Sequence, residues 1–208
     1  MTTELTLPQS KPSALALMAG KLSVEPDKLL GTLKATVFKG ATNEELLALV
    51  VVSNEYGLNP LLKEIYAFPA KGGGIVPVVS IDGWIRMTNN HPMMDGVEFE
   101  DHRDASGKLE SITCKIHRKD RAHPTVVTEY LSECKRNTDP WKMENRMLRH
   151  KALMQCARVA FGFSGITDDD EARPQVRNVT PPSVPADPFA SAPVIEAETE
   201  TATEEAEA

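Results

Sequence analysis

After Phe163-Ser164-Gly165-Ile166 the sequence changes character and runs on in Asp, Pro, Ala, Thr and Glu with few apolar residues. Such a stretch cannot bury enough surface to offset the entropy of ordering it. Any core must be built from what precedes it, and 208 residues with 41% apolar content leave enough chain for one ordinary domain plus a tail. The opening MTTELTLPQSK looks similarly loose. The expected organisation is a flexible N-terminus over 1–11, a folded domain over 12–170 and a disordered acidic tail over 171–208.

The same opening lacks the basic-then-apolar order of a signal peptide, and no run approaches the ~18 apolar residues of a membrane span. Cys114, Cys134 and Cys156 are too few and too scattered for a disulfide framework. They read as free thiols in a reducing, cytoplasmic compartment. The formal charge of −7 would argue against a nucleic-acid partner if it were evenly spread. It is segregated instead: residues 168–208 carry 2 Lys+Arg against 11 Asp+Glu, while residues 108–158 carry 12 against 6.

Thr42-Asn43-Glu44-Glu45 is a capping-box pattern opening the apolar run Leu46 to Val52, with a stop at Tyr56-Gly57. An earlier helix over about 27–38 places Leu29, Leu30, Leu33 and Val37 on one stripe after Pro26. Lys63 to Phe68 and Ile75 to Ile81 are β-rich runs joined by a Gly72-Gly73-Gly74 tip, a hairpin in which Pro77 marks an edge or a bulge. Asp82 to Met87 begins a helix or turn. A second strand pair joins Ile112, Cys114 and Ile116, alternating with Thr113, Lys115 and His117, to Thr125–Leu131; one face is expected to be buried and the other basic. Glu144 to Phe163 reads as a long helix. The fold class expected is α+β, with a hairpin and a small antiparallel sheet packed on helices.

Basic residues gather at Lys63 and Lys71, at Lys115-Arg118-Lys119-Arg121, at Lys135-Arg136, and at Lys142-Arg146-Arg149-Lys151-Arg158. Phosphates need such cations along a groove, and unstacked bases need aromatic faces, for which Tyr66, Trp84, Tyr130 and Trp141 are candidates. On composition alone, solvated surface charge is the commoner explanation. Cys114-x-x-His117, with His123, Cys134, His150 and Cys156 further on, is a weak zinc pattern: it has no second compact pair, and alternation turns Cys114 away from His117. Asp168-Asp169-Asp170-Glu171 is the densest acidic run and sits at the junction with the tail, where a solvated charge run is the commoner explanation; a metal-dependent nuclease would need carboxylates such as Asp82 or Asp168 to converge. The GxxxxGK[ST], GxSxG, HExxH and CxxC patterns are all missing from the sequence.

Phe38-Lys39-Gly40, EYGLNPLLKEIYAFP from Glu55, GIVPVVSIDGW from Gly74, RKDRAHP from Arg118 and RMLRHKALMQCARVAFGF from Arg146 follow one another in order. Together they resemble the RecT-like phage single-strand annealing proteins, in their Bet-type branch, over roughly residues 14–171. The resemblance implies ATP-independent binding of single-stranded DNA and annealing of complementary strands in recombination, with no covalent chemistry. It also implies no cofactor, Mg²⁺ at most modulating annealing, and a homo-oligomeric ring or helical filament holding the DNA and its annealed duplex in a basic groove. Lys39, Lys63, Lys71, Lys119, Arg146, Lys151 and Arg158 match basic positions of the family, and Trp141 an aromatic one near the groove. Arg118, Arg121, Lys142 and Arg149 join them as phosphate candidates from the clusters above.

The chain departs from the Bet-type pattern in three places. Lys135-Arg136-Asn137-Thr138-Asp139 runs directly to Pro140-Trp141 without a longer basic loop. Asn145 stands at a Lys position. An acidic tail replaces the helical module through which that branch engages a phage exonuclease and a host single-strand-binding protein. The rival expectations are the nuclease and a passive single-strand-binding protein.

Overall fold

The computed structural model describes residues 12–38 and 40–172. The expected N-terminal segment 1–11 and all of the tail beyond Ala172 lie outside them. Helices and two small antiparallel sheets make an α+β fold. Three N-terminal helices come first: α1 (Ala14–Leu22), α2 (Pro26–Thr36) and α3 (Asn43–Tyr56). The capping box of α3 forms as read: Glu45 N–H donates to Thr42 Oγ1, and the Glu45 carboxylate accepts from Thr42 N–H at 2.9 Å. α2 starts at Pro26, which supplies a helical φ at the one turn where its missing N–H costs nothing. α1 had no expected element. Its brevity and weak periodicity hide it, and it holds its place by packing Met18 and Ala19 into the core against α3.

Strands β1 (Ile65–Pro69) and β2 (Ile75–Val79) form the expected hairpin. Pro77 is tolerated because its nitrogen side faces away from β1. Its carbonyl and the Val79 N–H point instead to Thr167, bonding Thr167 N–H at 3.1 Å and Thr167 O at 2.9 Å. Residues 166–172 therefore run as a strap along the open edge of β2. They end in α7 (Asp169–Ala172).

α4 (Ile81–Asn90) follows, capped by Ser80, whose Oγ accepts from Gly83 N–H. The second sheet has three strands, in the order β3 (Met94–Arg103), β4 (Leu109–Arg118), β5 (Thr125–Tyr130). β3 was not expected, and it changes the reading of the sheet. Ile112, Cys114 and Ile116 are fully buried as anticipated, but the opposite face is not a bare basic surface. β3 sets Glu100 on Lys115 at 2.5 Å and Glu98 on His117 at 3.1 Å.

After the short α5 (Leu131–Cys134), helix α6 (Glu144–Phe161) lies across β4 and β5. Leu148, Ala152, Cys156 and Ala160, four apart, face the sheet, each fully or almost fully buried. Burial of each larger apolar side chain here is worth about 1.5–3 kcal/mol. No helix of the described residues is long and apolar enough to cross a membrane.

Candidate nucleic-acid interface

The twelve candidate residues fall into distinct physical states. Lys39 lies outside the described residues. Lys63 sits at a left-handed position (φ 58°) ending the turn Pro60–Leu62, and Lys71 at the hairpin tip. Lys119 and Arg121 occupy the turn between β4 and β5, and Arg146 the first two turns of α6. These five are exposed, and none forms an ion pair among the described residues.

Lys142 and Arg149 are loosely held. Lys142 pairs with Asp139 at 2.7 Å, both largely solvated. Arg149 pairs with Asp101 at 2.8 Å and lies 5.3 Å over the Phe99 ring. Exposed pairs of this kind contribute about 0–1 kcal/mol, so separating either cation from its carboxylate costs little.

Three candidates are committed to the fold. Arg118 grips Asp120 through two bonds, at 2.8 and 2.7 Å, donates to the Ala160 carbonyl and covers the Phe161 ring. A cation on that carbonyl satisfies the negative end of α6. Arg158 lies 5.4 Å over the Trp84 ring and donates to Glu171 at 2.9 and 3.1 Å and to the Ile166 carbonyl. Lys151 is only 7% exposed, with Asp168 at 2.6 Å and Asp170 at 3.5 Å. Burial alone would lower the Lys151 pKa, but the hydrogen bond and charge of Asp168, with Asp170 and Glu171, outweigh it and hold the ammonium above its ordinary value.

The acidic run Asp168–Glu171 is therefore no solvated junction. Asp168 is 4% exposed: one oxygen takes Lys151, and the other accepts the N–H groups of Asp170 and Glu171 at 2.8 and 3.0 Å. Trp141, Arg146, His150 and Lys151 line one cleft with these aspartates and with Ser80 at the start of α4. Burial, and secondarily Arg146, lower the His150 pKa, so the cleft carries a neutral imidazole near neutrality. The structure thus brings Trp141, Arg146 and Lys151 together, while Lys119 and Arg121 lie beside Arg118 toward the other end of α6. Ala160 stands fourteen residues beyond Arg146, roughly 21 Å along the helix axis.

Two of the aromatic candidates are enclosed. Trp84 is 0% and Trp141 2% exposed, so neither indole offers an open face to a base. The three thiols are all buried. Burial and Glu129 push the Cys134 thiol up to about 12, and Cys156 lies against Cys114 on the sheet–helix contact.

The strap should be acid-labile. Burial works to raise the Glu171 carboxyl, but the hydrogen bonds and charge of Arg158, aided by the Asp168 N–H and Gln155, hold it below the ordinary glutamate value near 4.5. A depressed carboxylate contributes stability that is present above the ordinary value and lost as pH falls through the folded one. Hydrogen-exchange protection of the Val79 and Thr167 amides should therefore drop between pH 6 and pH 3 while that of α6 holds. Equal protection at both pH values contradicts this.

The RecT family description matches residues 26–184 of this chain. The chain is also similar to "Recombination protein bet" of Escherichia phage lambda, 50% identical over 185 residues that cover 80% of this chain and 69% of the relative. The match spans the hairpin, both sheets, α6 and the strap, and the chain belongs to the RecT family.

Proposed function

We propose that this protein binds single-stranded DNA through its exposed cations and anneals complementary strands in phage-type recombination, without ATP. The observation that carries the reading is the 50% identity to a phage recombination protein, over a span that includes Lys63, Lys71, Lys119, Arg121 and Arg146. All five stand exposed and outside ion pairs among the described residues. The chemistry asked of the protein is small. Cations neutralise the phosphates of one strand, a complement arrives, and pairing and stacking supply the free energy of the product. Copies of the chain assembled as a ring or filament would share many weak contacts along one strand, which gives avidity without tight individual sites. A phage exonuclease and a host single-strand-binding protein are the partners proposed for delivering that strand.

The test is the rate at which purified protein, without nucleotide, converts two complementary labelled oligonucleotides into duplex, with strand length read on a denaturing gel. Accelerated annealing with full-length strands is expected. Binding without acceleration marks a passive single-strand-binding protein, and shortened strands a nuclease. Affinity should also fall with salt, the slope of log K against log[salt] easing by about 0.7 for each phosphate-binding cation removed. Lys63→Ala with Lys71→Ala should thus flatten it by roughly 1.4. An unchanged slope removes those two lysines from the interface.

A further inference from the structure

Phosphate contacts hold a strand but leave its bases without a partner, and an unstacked base gains most from a flat, accessible ring. Most rings of the described residues are already in use. Trp84 and Trp141 are enclosed, Phe38 is buried, and Phe99 lies under Arg149. Tyr56 meets Phe163 edge to face at 5.8 Å, and Phe161 is stacked under His91 at 4.1 Å. Tyr66 is half-buried, with its hydroxyl donating to Asp169. Two large aromatic rings remain substantially open, Tyr130 and Phe68. Tyr130 shares its sheet face with Glu98 and Glu100, which already engage Lys115 and His117, the cations that face would otherwise offer a phosphate.

Phe68 stands in the opposite electrostatic setting. It is 39% exposed, on the β1–β2 hairpin that has Lys63 at its entry and Lys71 at its tip. Lys71 is three residues away, roughly 10 Å along an extended chain. The tip is open, since a Cβ added at Gly72, Gly73 or Gly74 would meet nothing within 4 Å. The ring is also braced: Tyr66 abuts it edge to face at 5.6 Å, and the Tyr66 hydroxyl is anchored on the strap. Val76, buried, lies across the strand pair. A ring held in place in advance loses little entropy when a ligand settles on it.

We propose that Phe68 is a base-stacking platform, on which one nucleobase of a bound single strand rests while Lys63 and Lys71 neutralise nearby phosphates. The proposal rests on the single-strand-binding reading given above. It assigns the β1–β2 hairpin a part in gripping the base as well as the backbone. Charge complementarity selects this occupant over a second copy of the chain, because an exposed apolar ring on a hairpin that carries an exposed lysine at each end of β1 fits an anionic strand with flat apolar faces.

The experiment compares the full-length protein with Phe68→Ala and Phe68→Trp, binding labelled oligothymidylate and an abasic strand with the same number of phosphates. Phe68→Ala should weaken oligothymidylate binding about 10-fold and leave the abasic strand unchanged. In Phe68→Trp, the indole fluorescence open to quenchers should be quenched by oligothymidylate and not by the abasic strand, Trp84 and Trp141 being enclosed. Phe68→Ala that binds both strands like the parent overturns the proposal. So does equal weakening on both strands with a smaller assembly in sedimentation, which would make Phe68 a contact between copies. If the parent protein binds neither strand, the single-strand-binding reading itself fails.

Discussion

Lys151→Met should destabilise the fold by about 3–5 kcal/mol in urea or thermal unfolding, the cost of leaving a buried carboxylate without its cation. Asp168 would keep its cap to α7 but lose the ammonium at 2.6 Å, and Asp170 its neighbour at 3.5 Å. Adding Asp168→Asn should recover much of the loss, because the amide oxygen still caps α7 and residue 168 no longer carries a buried charge. A double variant as unstable as the single one would show that the stranded carboxylate is not the source of the loss. The sign with pH follows from the raised Lys151 pKa: the contribution is complete below the ordinary lysine value and is lost as pH rises through the folded one. A charge reversal at Lys151 that abolishes annealing is therefore ambiguous between lost phosphate contact and lost fold. The same caution applies to Arg158, whose guanidinium ties Glu171 and Ile166 to α6. Clean tests of the proposed interface are Lys63, Lys71, Lys119, Arg121 and Arg146, which are exposed and form no ion pair among the described residues.

Gly83→Ala should be of comparable size, about 3 kcal/mol, through overpacking. A methyl group at this position would collide with the Glu64 carbonyl oxygen and come within 2.7 Å of Val79 Cγ1. Neither can move cheaply. The Glu64 carbonyl already accepts the Ser80 N–H at 3.0 Å, and Val79 is buried and bonded to the strap. Gly83 lets the first turn of α4 press against the hairpin base, and Trp84, fully buried beside it, needs that approach. The measurement is the urea midpoint of Gly83→Ala against Gly96→Ala. Gly96 lies in β3 with nothing within 4 Å of an added Cβ, so its variant should change stability far less. Equal midpoints would show that the hairpin base yields.

Much of the fold could be read along the chain because the signals are local. Thr42 and Glu45 cap each other within three residues, Pro26 and Gly57 bracket helices, and the alternation of Ile112, Cys114 and Ile116 needs only a period of two. β3 escaped because its open face carries Glu98 and Glu100. Their acidity reads as loop until Lys115 and His117 are placed opposite them. Membership of the RecT family was legible for a different reason, since several ordered segments together are far more specific than any one of them.

What the sequence determined by itself was α2, α3, α6 and the β1–β2 and β4–β5 strand pairs, the segregation of charge, and which side chains are basic. Tertiary structure alone decided which of those cations are available. Lys71 and Lys151 look alike as letters, yet one projects from a hairpin tip and the other is sealed beneath Asp168. The run Asp168–Glu171 looked like the start of a solvated tail and proved to be the counter-charge of α6. The reason is range: a helix cap is settled by neighbours a few bonds away, whereas the state of a charge depends on what the fold brings to within about 4 Å of it, from anywhere in the chain.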